Sequence, residues 1–496
     1  MKRDGRLARR WIATGRLAAA MAAVLFLQTA VGDTLTEKAT ETVLRRARLM
    51  ERAGSGLVVL ISGETKNFSN DVDYPFRQEN NLFYLTGINQ VGIALALRPG
   101  AQEPREVLFL PRRDPSRERW TGRMLSVEEA RRLSGIWDIR ETGEWESFLD
   151  AALSGKDHEK RLSSSEEHTR VDNAAADSSD LWLILGNGTA LAPLFRRERV
   201  FADTLAARHP RIRRKDLYPL FRDLRIVKSA YEIGRLRKAI DITCEAHQGV
   251  MQKIRPGINE SELDGFIHSV FRKHGAQWGF PSIVGSGPNA TTLHYEQNDR
   301  WIEDGEMVLM DIGAEVDHYS ADVTRTIPAG GRFTQEQKTL YEIVLAAQEA
   351  AFSAIRPGAT IREVHNAALT TLKAGLLRVG LVADTTGNQY RMWFMHGTSH
   401  WLGLDVHDPG TRDTIFAPGM VLTVEPGLYI REDALDYLEK TSGNEKLLQT
   451  IRPAFERYKN IGIRIEDDVL VTQEGYELLS GSAPRTVEAI EMLMGR

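Results

Sequence analysis

Cysteine is almost absent from this chain, and so is any strong excess of charge of one sign. The 496 residues include a single cysteine, Cys244, which excludes an intrachain disulfide. The net charge is −4, and because residues 1–32 carry six basic residues and one acid, the rest of the chain has a net charge of −9. A mildly acidic body lacks the basic surface that nucleic-acid binding requires. The sequence therefore predicts no nucleic-acid partner and a stability that depends on packed cores.

Long apolar runs are also scarce, and one is found near the amino terminus. Residues 17–31, LAAAMAAVLFLQTAV, follow a basic segment and lead into Gly32, the end of a small-residue cleavage sequence. This order is typical of a secretory signal peptide, so we expect residues 1–32 to direct export to a bacterial periplasm or out of the cell. Arg9-Arg10 loosely resembles a twin-arginine signal. Retention as a membrane anchor is the alternative, although the run is short for a bilayer span.

Strand-like and helix-like segments alternate over residues 33–216. Residues 36–53 and SVEEARRL (126–133) have helical spacing, and apolar runs predict strands in GLVVLISG, VGIALALRP, REVLFLPR and WLILGN. We therefore predict an amino-terminal α/β domain over this range. Residues 154–180 are polar, contain no aromatic side chain and have too few aliphatic ones to build a core. They predict a flexible insertion.

An internal repeat marks residues 217–496. KIRPGINESELDGFIHSVFRKHGA (253–276) and AIRPGATIREVHNAALTTLKAGLL (354–377) share Ile-Arg-Pro-Gly between two helix-like segments, at an offset of 101 residues. Proline and glycine end one helix, and a turn with Ser or Thr begins the next. Two such halves over a shared sheet predict a pseudo-twofold α/β (α+β) domain with its site between the halves. The charge-rich residues 432–460 predict an extended surface loop.

Four carboxylates and one histidine stand in strand-like or adjoining segments of this domain. In chain order they are Asp311, Asp322, His400, Glu425 and Glu466. A buried carboxylate requires a partner or a cation. An oxygen-rich set with one imidazole suits ions of the manganese or cobalt type, whereas structural zinc is bound mainly by cysteine and histidine. The four negative charges of the carboxylates would also balance the charge of two divalent cations. We therefore predict a site for two divalent metal ions.

The local sequence predicts how some of these acids meet. Asp311 ends an apolar strand-like run and Asp322 lies in a second one, so antiparallel pairing would turn both toward one cavity. Alternation over residues 461–470 places Arg464 and Glu466 on the same side of a single strand. We therefore expect these two side chains to project together.

Several longer motifs resemble those of the aminopeptidase P and prolidase family of dinuclear metallopeptidases, which has the pita-bread fold. They are DYPFRQENNLFYLTG (73–87), IVGSGPNATTLHY (283–295), DIGAE followed by ADVTRT, MHGTSHWLGLDVHD, TVEPGLYI and GIRIEDD. All but the first follow the family's order and spacing over residues 217–480. The resemblance implies an amino-terminal aminopeptidase P domain over 33–216 and a pita-bread catalytic domain over 217–496.

The resemblance also implies a role for each candidate ligand. Asp311 is similar to the ligand that binds one metal alone, and Asp322 and Glu466 are similar to the bridging carboxylates. His400 and Glu425 resemble the ligands that complete the second metal. The expected ions are Mn²⁺, with Co²⁺ or Zn²⁺ as alternatives, because cellular supply decides as much as the ligands do.

Four further residues resemble the catalytic groups of the family. His294, His396 and His407 are similar to histidines that bind substrate and handle protons, and Arg464 is similar to the arginine that supports them. The implied activity is release of the amino-terminal residue from peptides with proline in second position, by attack of a metal-bridging hydroxide on the Xaa-Pro bond. The implied assembly is a homo-oligomer, a dimer or a tetramer. An Xaa-Pro dipeptidase and a non-catalytic peptide-binding relative stay open as alternatives.

Overall fold

The computed structural model describes residues 36–101, 104–154 and 180–495 of a chain that divides into two compact units after Leu224. The predicted signal peptide and almost all of the predicted insertion lie outside the described residues. The domain limits that we drew from the sequence stay predictions. Within the described ranges, no helix has both the length and the apolar character needed to cross a bilayer.

The amino-terminal unit is built on a mixed sheet and a small hairpin. Its strands are β1 (Leu57–Ile61), β2 (Asn67–Ser69), β3 (Val72–Asp73), β4 (Ala94–Leu97), β5 (Glu106–Leu110), β6 (Asp138–Glu141), β7 (Asp180–Leu183) and β8 (Arg213–Asp216). The six-stranded sheet has the order β6-β5-β4-β1-β7-β8, and β2 pairs with β3 in the hairpin. The strands predicted in GLVVLISG, VGIALALRP and REVLFLPR are thereby confirmed, and WLILGN overlaps β7.

Helices accompany this sheet, and all of them except the one over Pro115–Thr121 bury side chains. They are α1 (Glu37–Ala53), α2 (Asn80–Thr86), α3 (Pro115–Thr121), α4 (Val127–Ser134), α5 (Trp145–Leu153), α6 (Arg196–Arg208) and, at the end of the unit, α7 (Tyr218–Arg225), with short 3₁₀ turns at Thr142–Glu144 and Ala192–Phe195. Both predicted helices are present. The second begins with a capping box, in which Ser126 and Glu129 each bind the backbone N–H of the other.

The strands of the carboxy-terminal unit form small antiparallel sheets. They are β9 (Gln277–Trp278), β10 (Ile283–Ser286), β11 (Met307–Ile312), β12 (Ala314–Val316), β13 (Tyr319–Ser320), β14 (Val323–Pro328), β15 (Val421–Val424), β16 (Gly427–Ile430), β17 (Ile461–Arg464), β18 (Asp467–Val471) and β19 (Tyr476–Leu478). The strand orders are β10-β11-β14, β13-β12-β9, β15-β18-β19 and β16-β17. Most of their buried side chains share one large apolar core with the helices of the unit, and Ile283, Leu309 and Tyr429 belong to a second, smaller cluster.

Two similar helix pairs pack on this core, as the repeat predicted. The helices are α8 (Ala230–Lys253), α9 (Glu260–Lys273), α10 (Gln335–Ser353), α11 (Ile361–Arg378), α12 (Ser442–Tyr458) and α13 (Val487–Met494), with 3₁₀ turns at Gly287–Thr291 and Gln389–Met392. Each Ile-Arg-Pro-Gly sequence joins the two helices of a pair. Its isoleucine, Ile254 or Ile355, is buried in the core.

The prediction of an extended loop over residues 432–460 was wrong, because α12 occupies most of its second half. The side chain of Thr441 caps the first turn by accepting from the Asn444 N–H. Ile451, Phe455 and Tyr458 are buried at helical spacing. The many charged residues of the segment made this apolar stripe hard to recognise in the sequence. The stripe is enough to hold a helix on the core.

The prediction of one continuous strand over residues 461–470 was also wrong. The segment is divided into β17, which pairs with β16, and β18, which pairs with β15. Opposite the break lies Pro426, which has no N–H to donate to a ladder. Its carbonyl oxygen accepts from the Ile465 N–H at 3.3 Å. Both backbone segments therefore leave their regular ladders at the same level, and Glu425 and Glu466 lie at this level.

Gly462 is required by the close approach of two backbones at this part of the fold. A Cβ atom at this position of β17 would lie 2.0 Å from the carbonyl oxygen of Ala290, in the 3₁₀ turn that precedes His294. We expect Gly462→Ala to lower the free energy of unfolding by about 1–3 kcal/mol or more, because backbone cannot move aside cheaply. Chemical denaturation measures the change.

Gly443→Ala is the matched control for this substitution. A Cβ atom on Gly443, in the first turn of α12, would meet nothing closer than Thr441 Oγ at 3.9 Å. The control should be neutral or stabilising by up to about 1 kcal/mol. Equal stabilities of the two variants would contradict the proposed backbone contact.

Candidate metal centre

The predicted ligands meet at the ends of strands in the carboxy-terminal unit. Asp311 lies within β11, Asp322 directly precedes β14, Glu425 directly follows β15 and Glu466 directly precedes β18. His400 precedes Trp401, which forms an isolated bridge to the residue Leu422 of β15. The β11–β14 pairing is antiparallel, as expected, although Asp322 lies just outside its strand. Strand ends are suited to this task because their side chains are fixed while their backbone leaves the ladder.

The side chains are close enough to share cations. His400 Nε2 lies 3.3 Å from an oxygen of Asp322 and 3.9 Å from oxygens of both Glu425 and Glu466. One ligand atom from each of Asp322, His400 and Glu466 lies within 4.8 Å of the others. The structure therefore brings these four residues around one small volume.

Asp311 completes the cluster and carries an unsatisfied oxygen. Its Oδ2 accepts from Arg464 Nη2 at 2.5 Å, while its buried Oδ1 has no hydrogen-bond partner among the described residues. The charge of Asp311 also contributes to raising the pKa of Asp322, so the two carboxylates face each other. A buried carboxylate oxygen without a partner is costly unless a cation or donor binds it.

Burial and mutual repulsion raise the pKa values of the other three carboxyl groups. Burial is the largest cause for each, and nearby carboxylates add to it: Asp311 for Asp322, and Asp322 for Glu466. The pKa of Glu425 rises to about 7, although His400 and Arg464 oppose the rise. Divalent cations would remove this repulsion. The donor types, the orphaned oxygen and the repulsion all fit two divalent metal ions.

His396 is held in one tautomer by Gly397 and Tyr429. Its Nδ1 lies 2.7 Å from the Gly397 carbonyl oxygen, which only accepts, so Nδ1 carries the proton. Its Nε2 then accepts from the Tyr429 hydroxyl at 2.8 Å, and that hydroxyl accepts from Arg464 Nη1 at 3.0 Å. Burial, followed by the charge of Arg464, lowers the pKa of His396 to about 3. The ring is therefore neutral at physiological pH.

His407 and His294 lie beside the predicted ligands. The His407 ring stands edge-on to the ring of His400, with 4.4 Å between centroids. Partial burial, then the charges of His400 and His294, lower the pKa of His407 to about 4. His294 is exposed in the turn after the 3₁₀ helix Gly287–Thr291. The structure therefore gathers all nine predicted site residues into one region of the carboxy-terminal unit.

Thr324 and Tyr429 belong to the same network and were missed in the sequence. The Thr324 hydroxyl donates to Glu466 at 2.7 Å and accepts from Arg464 Nε at 3.1 Å, so it joins the two side chains expected to project together. Its place two residues after Asp322 was a usable signal, because alternate residues of a strand share a face. Tyr429 lies within TVEPGLYI, where an aromatic residue of a strand suggests core packing and gives no sign of this role.

A buried carboxylate organises the segment that carries His294. Glu260 accepts from the Ser286 N–H at 2.6 Å, from the Tyr295 hydroxyl at 2.8 Å and from the Arg300 N–H at 3.0 Å. Tyr295 is the next residue after His294 in the chain. The turn is therefore anchored from the first residue of α9.

Known proteins share this organisation. Metallopeptidase family M24 matches residues 234–473, and the aminopeptidase P N-terminal domain matches residues 43–161. The Xaa-Pro aminopeptidase of Escherichia coli K12 is 37% identical over 462 residues, which cover 91% of this chain and 96% of that protein. The chain belongs to the aminopeptidase P family of M24 metallopeptidases.

Solved structures of the aminopeptidase P family agree in fold. The aminopeptidase PepP of Pseudomonas aeruginosa is 33% identical and superposes with a TM-score of 0.75, covering 93% of this chain and 98% of its own. Zinc-substituted aminopeptidase P of E. coli, in complex with product, is 34% identical with a TM-score of 0.75, covering 92% and 98%. The predicted fold, an amino-terminal α/β domain followed by a pita-bread domain, is confirmed.

Replacing one buried carboxylate of the metal centre in this aminopeptidase P family member should raise the stability of the metal-free protein and lower that of the metal-loaded protein. We expect Glu466→Gln to raise the melting temperature of the metal-free protein near pH 8 by about 2–4 °C for each kcal/mol of repulsion relieved. With metal added, the variant should be less stable than the wild type, because it has lost a ligand. Calorimetry with a chelator or with Mn²⁺ measures both.

Glu474→Gln is the matched control, since Glu474 is an exposed glutamate a few residues further along the chain. It should leave both melting temperatures and the metal affinity unchanged. A metal-free Glu466→Gln protein less stable than the wild type would contradict the repulsion that we infer.

His247 should make the fold sensitive to acid. This fully buried histidine of α8 donates from Nε2 to the Val323 carbonyl oxygen at 2.9 Å, and burial, then Arg325, lowers its pKa from 6.5 to about 3. The unfolded chain binds a proton below 6.5 and the folded chain does not, so the contribution to stability is complete above 6.5 and is lost as pH falls toward 3.

His247→Gln, which keeps a donor for the Val323 carbonyl, should remove this loss. When the pH is lowered from about 8 to about 5, the free energy of unfolding of the metal-free variant should rise by about 2 kcal/mol relative to that of the metal-free wild type. The comparison cancels the shared titration of the carboxylates. Parallel pH profiles for the two proteins would show that His247 does not titrate in this way.

Proposed function

We propose that this chain is a metal-dependent Xaa-Pro aminopeptidase, which releases the amino-terminal residue from peptides with proline in second position. The observation that carries the proposal is the convergence of Asp322, His400 and Glu466 within 4.8 Å, with Asp311 and Glu425 beside them. Identity of 37% to an Xaa-Pro aminopeptidase over most of the chain supports the same activity.

Five residues supply the ligands in this proposal: Asp311, Asp322, His400, Glu425 and Glu466. These residues would hold the divalent cations, which would supply activation of water near neutral pH and polarisation of the scissile carbonyl group. We assign Mn²⁺ to the site because oxygen donors predominate in the set. Arg464 keeps Asp311 oriented through the 2.5 Å ion pair between them.

The remaining residues bind the peptide and handle protons. The departing proline nitrogen must receive a proton when the Xaa-Pro bond breaks. Because His407 is neutral at physiological pH, it is able to accept a hydrogen bond from the substrate or donate one to it. We assign His294 to the same role because its charge acts on His407. The Gly397 carbonyl oxygen keeps His396 in its tautomer, and Tyr429, which Arg464 binds, orients the ring before substrate arrives.

Hydrolysis by metal-stripped protein tests the assignment. Ala-Pro-Ala should be cleaved after the first residue once Mn²⁺, Co²⁺ or Zn²⁺ is restored, and Ala-Ala-Ala should be a poor substrate. Glu466→Gln should lower kcat/KM by more than about a hundredfold, since charge stabilisation of the transition state depends on the cations. The Glu474→Gln control should retain wild-type activity.

Two results would overturn the assignment. Absence of metal-dependent cleavage of any proline-containing peptide would remove the catalytic interpretation and favour a peptide-binding relative. Cleavage of Ala-Pro without cleavage of Ala-Pro-Ala would identify a dipeptidase with the same ligands.

Export and self-association are further proposals. The basic start and apolar run of residues 1–32 support export, and the amino-terminal residue of the protein from its native cell distinguishes cleavage from retention as an anchor. The family resemblance supports a homo-oligomer, which light scattering of the purified protein tests.

A further inference from the structure

A buried glutamine of α10 contacts the backbone behind the metal ligands. Gln348 is fully buried, and its Nε2 lies within hydrogen-bond distance of three acceptors, the carbonyl oxygens of Val424 and Ile465, each at 3.1 Å, and Asp467 Oδ2 at 3.0 Å. Because the amide has two N–H groups, one of them is shared between two acceptors. Its Oε1 accepts from Arg485 Nη1 at 3.3 Å. Because a guanidinium group only donates, this contact fixes which side of the amide faces the strands.

The two carbonyl groups belong to the residues immediately before two ligands. Val424 precedes Glu425 and Ile465 precedes Glu466, at the level where the β15–β18 and β16–β17 ladders are interrupted. One carboxamide therefore spans the gap that the ladders leave. Together with the Ile465 N–H to Pro426 carbonyl hydrogen bond, its contacts set the separation of the two backbones at the point where both glutamates emerge.

Arg325 holds one of these backbones from a second side. Its Nη1 donates to the carbonyl oxygens of Glu466 at 2.6 Å and Thr324 at 2.9 Å, and its Nη2 pairs with Asp467 Oδ1 at 2.6 Å. Asp467 thus accepts from Arg325 with one oxygen and from Gln348 with the other. Gln348, unlike Arg325, binds the carbonyl groups that precede both Glu425 and Glu466. Loss of the carboxamide should therefore alter the spacing of the two glutamates.

We propose that Gln348 is a positioning residue for the metal centre, which holds the backbone preceding Glu425 and Glu466 at the spacing needed for both carboxylates to reach the same cations. The inference rests on the proposed metal-dependent function. Side chains that orient ligands without touching the metal change metal affinity or activity by about 10–100-fold when replaced. Gln348→Met, of similar length but without donors, should weaken Mn²⁺ binding by that factor.

Gln337→Met is the matched control. Gln337 lies in the same helix, is also buried, and donates from Nε2 to the Gly305 carbonyl oxygen at 2.8 Å, which is not next to any ligand. Both substitutions remove a buried amide that binds backbone, so both should lower the melting temperature of the metal-free protein. Only Gln348→Met should weaken Mn²⁺ binding, measured by titration calorimetry well below the melting temperatures.

The metal dependence of hydrolysis gives a second measurement. Activity of Gln348→Met should require about 10–100-fold more Mn²⁺ for half-saturation, while Gln337→Met should follow the wild-type curve. Gln348→Asn covers the case in which the methionine variant does not fold, because it retains a polar amide that is too short to span both carbonyl groups. It should weaken Mn²⁺ binding in the same direction by a smaller factor.

The outcomes separate this inference from the proposed function. If the wild type binds Mn²⁺ and cleaves Ala-Pro-Ala but the Gln348 variants bind Mn²⁺ within about twofold of the wild type, the positioning role is overturned and the function stands. Equal weakening in the Gln337 control would also overturn it. If the wild type binds metal without cleaving the peptide, the function fails, while weaker binding in the Gln348 variants would still support the positioning role.

Discussion

Repulsion among buried carboxylates is the constraint on which the carboxy-terminal unit depends. Asp311, Asp322, Glu425 and Glu466 converge with Arg464 as the cation that pairs directly with one of them. Burial raises the pKa values of three of these groups, so folding without metal works against their ionisation. Burial of the large apolar core around the site offsets this cost in folding free energy. Divalent cations bound at the site would relieve the repulsion and link stability to function.

Much of the arrangement could be predicted from local patterns. The apolar run before Asp311 indicated β11, and the Ile-Arg-Pro-Gly repeat indicated both helix pairs. The individual roles of the nine site residues came from the family resemblance, and the structure places those residues together. Helix α12 was missed because charged residues outnumber the apolar ones that bury at every third or fourth position.

Other features depend on contacts between distant segments and had no local signal. The break between β17 and β18 is set opposite Pro426, and nothing within residues 461–470 indicates it. The contacts of Gln348 require a helix and two strands that come together only in the folded chain. Thr324 was partly predictable, because the sequence indicated which face of the strand it occupies but not which residues it binds.

The two halves of the domain position their predicted metal ligands in different ways. In the first half, β11 and β14 pair without interruption from Met307↔Pro328 to Ile312↔Val323, so the ladder itself sets the relation between Asp311 and Asp322. In the second half the ladder is broken where Glu425 and Glu466 emerge, so side chains of α10 and β14 must replace the missing backbone hydrogen bonds. A broken ladder lets two glutamates leave neighbouring strands at one level. Its geometry then depends on buried polar groups, which tolerate substitution less well than backbone pairing does.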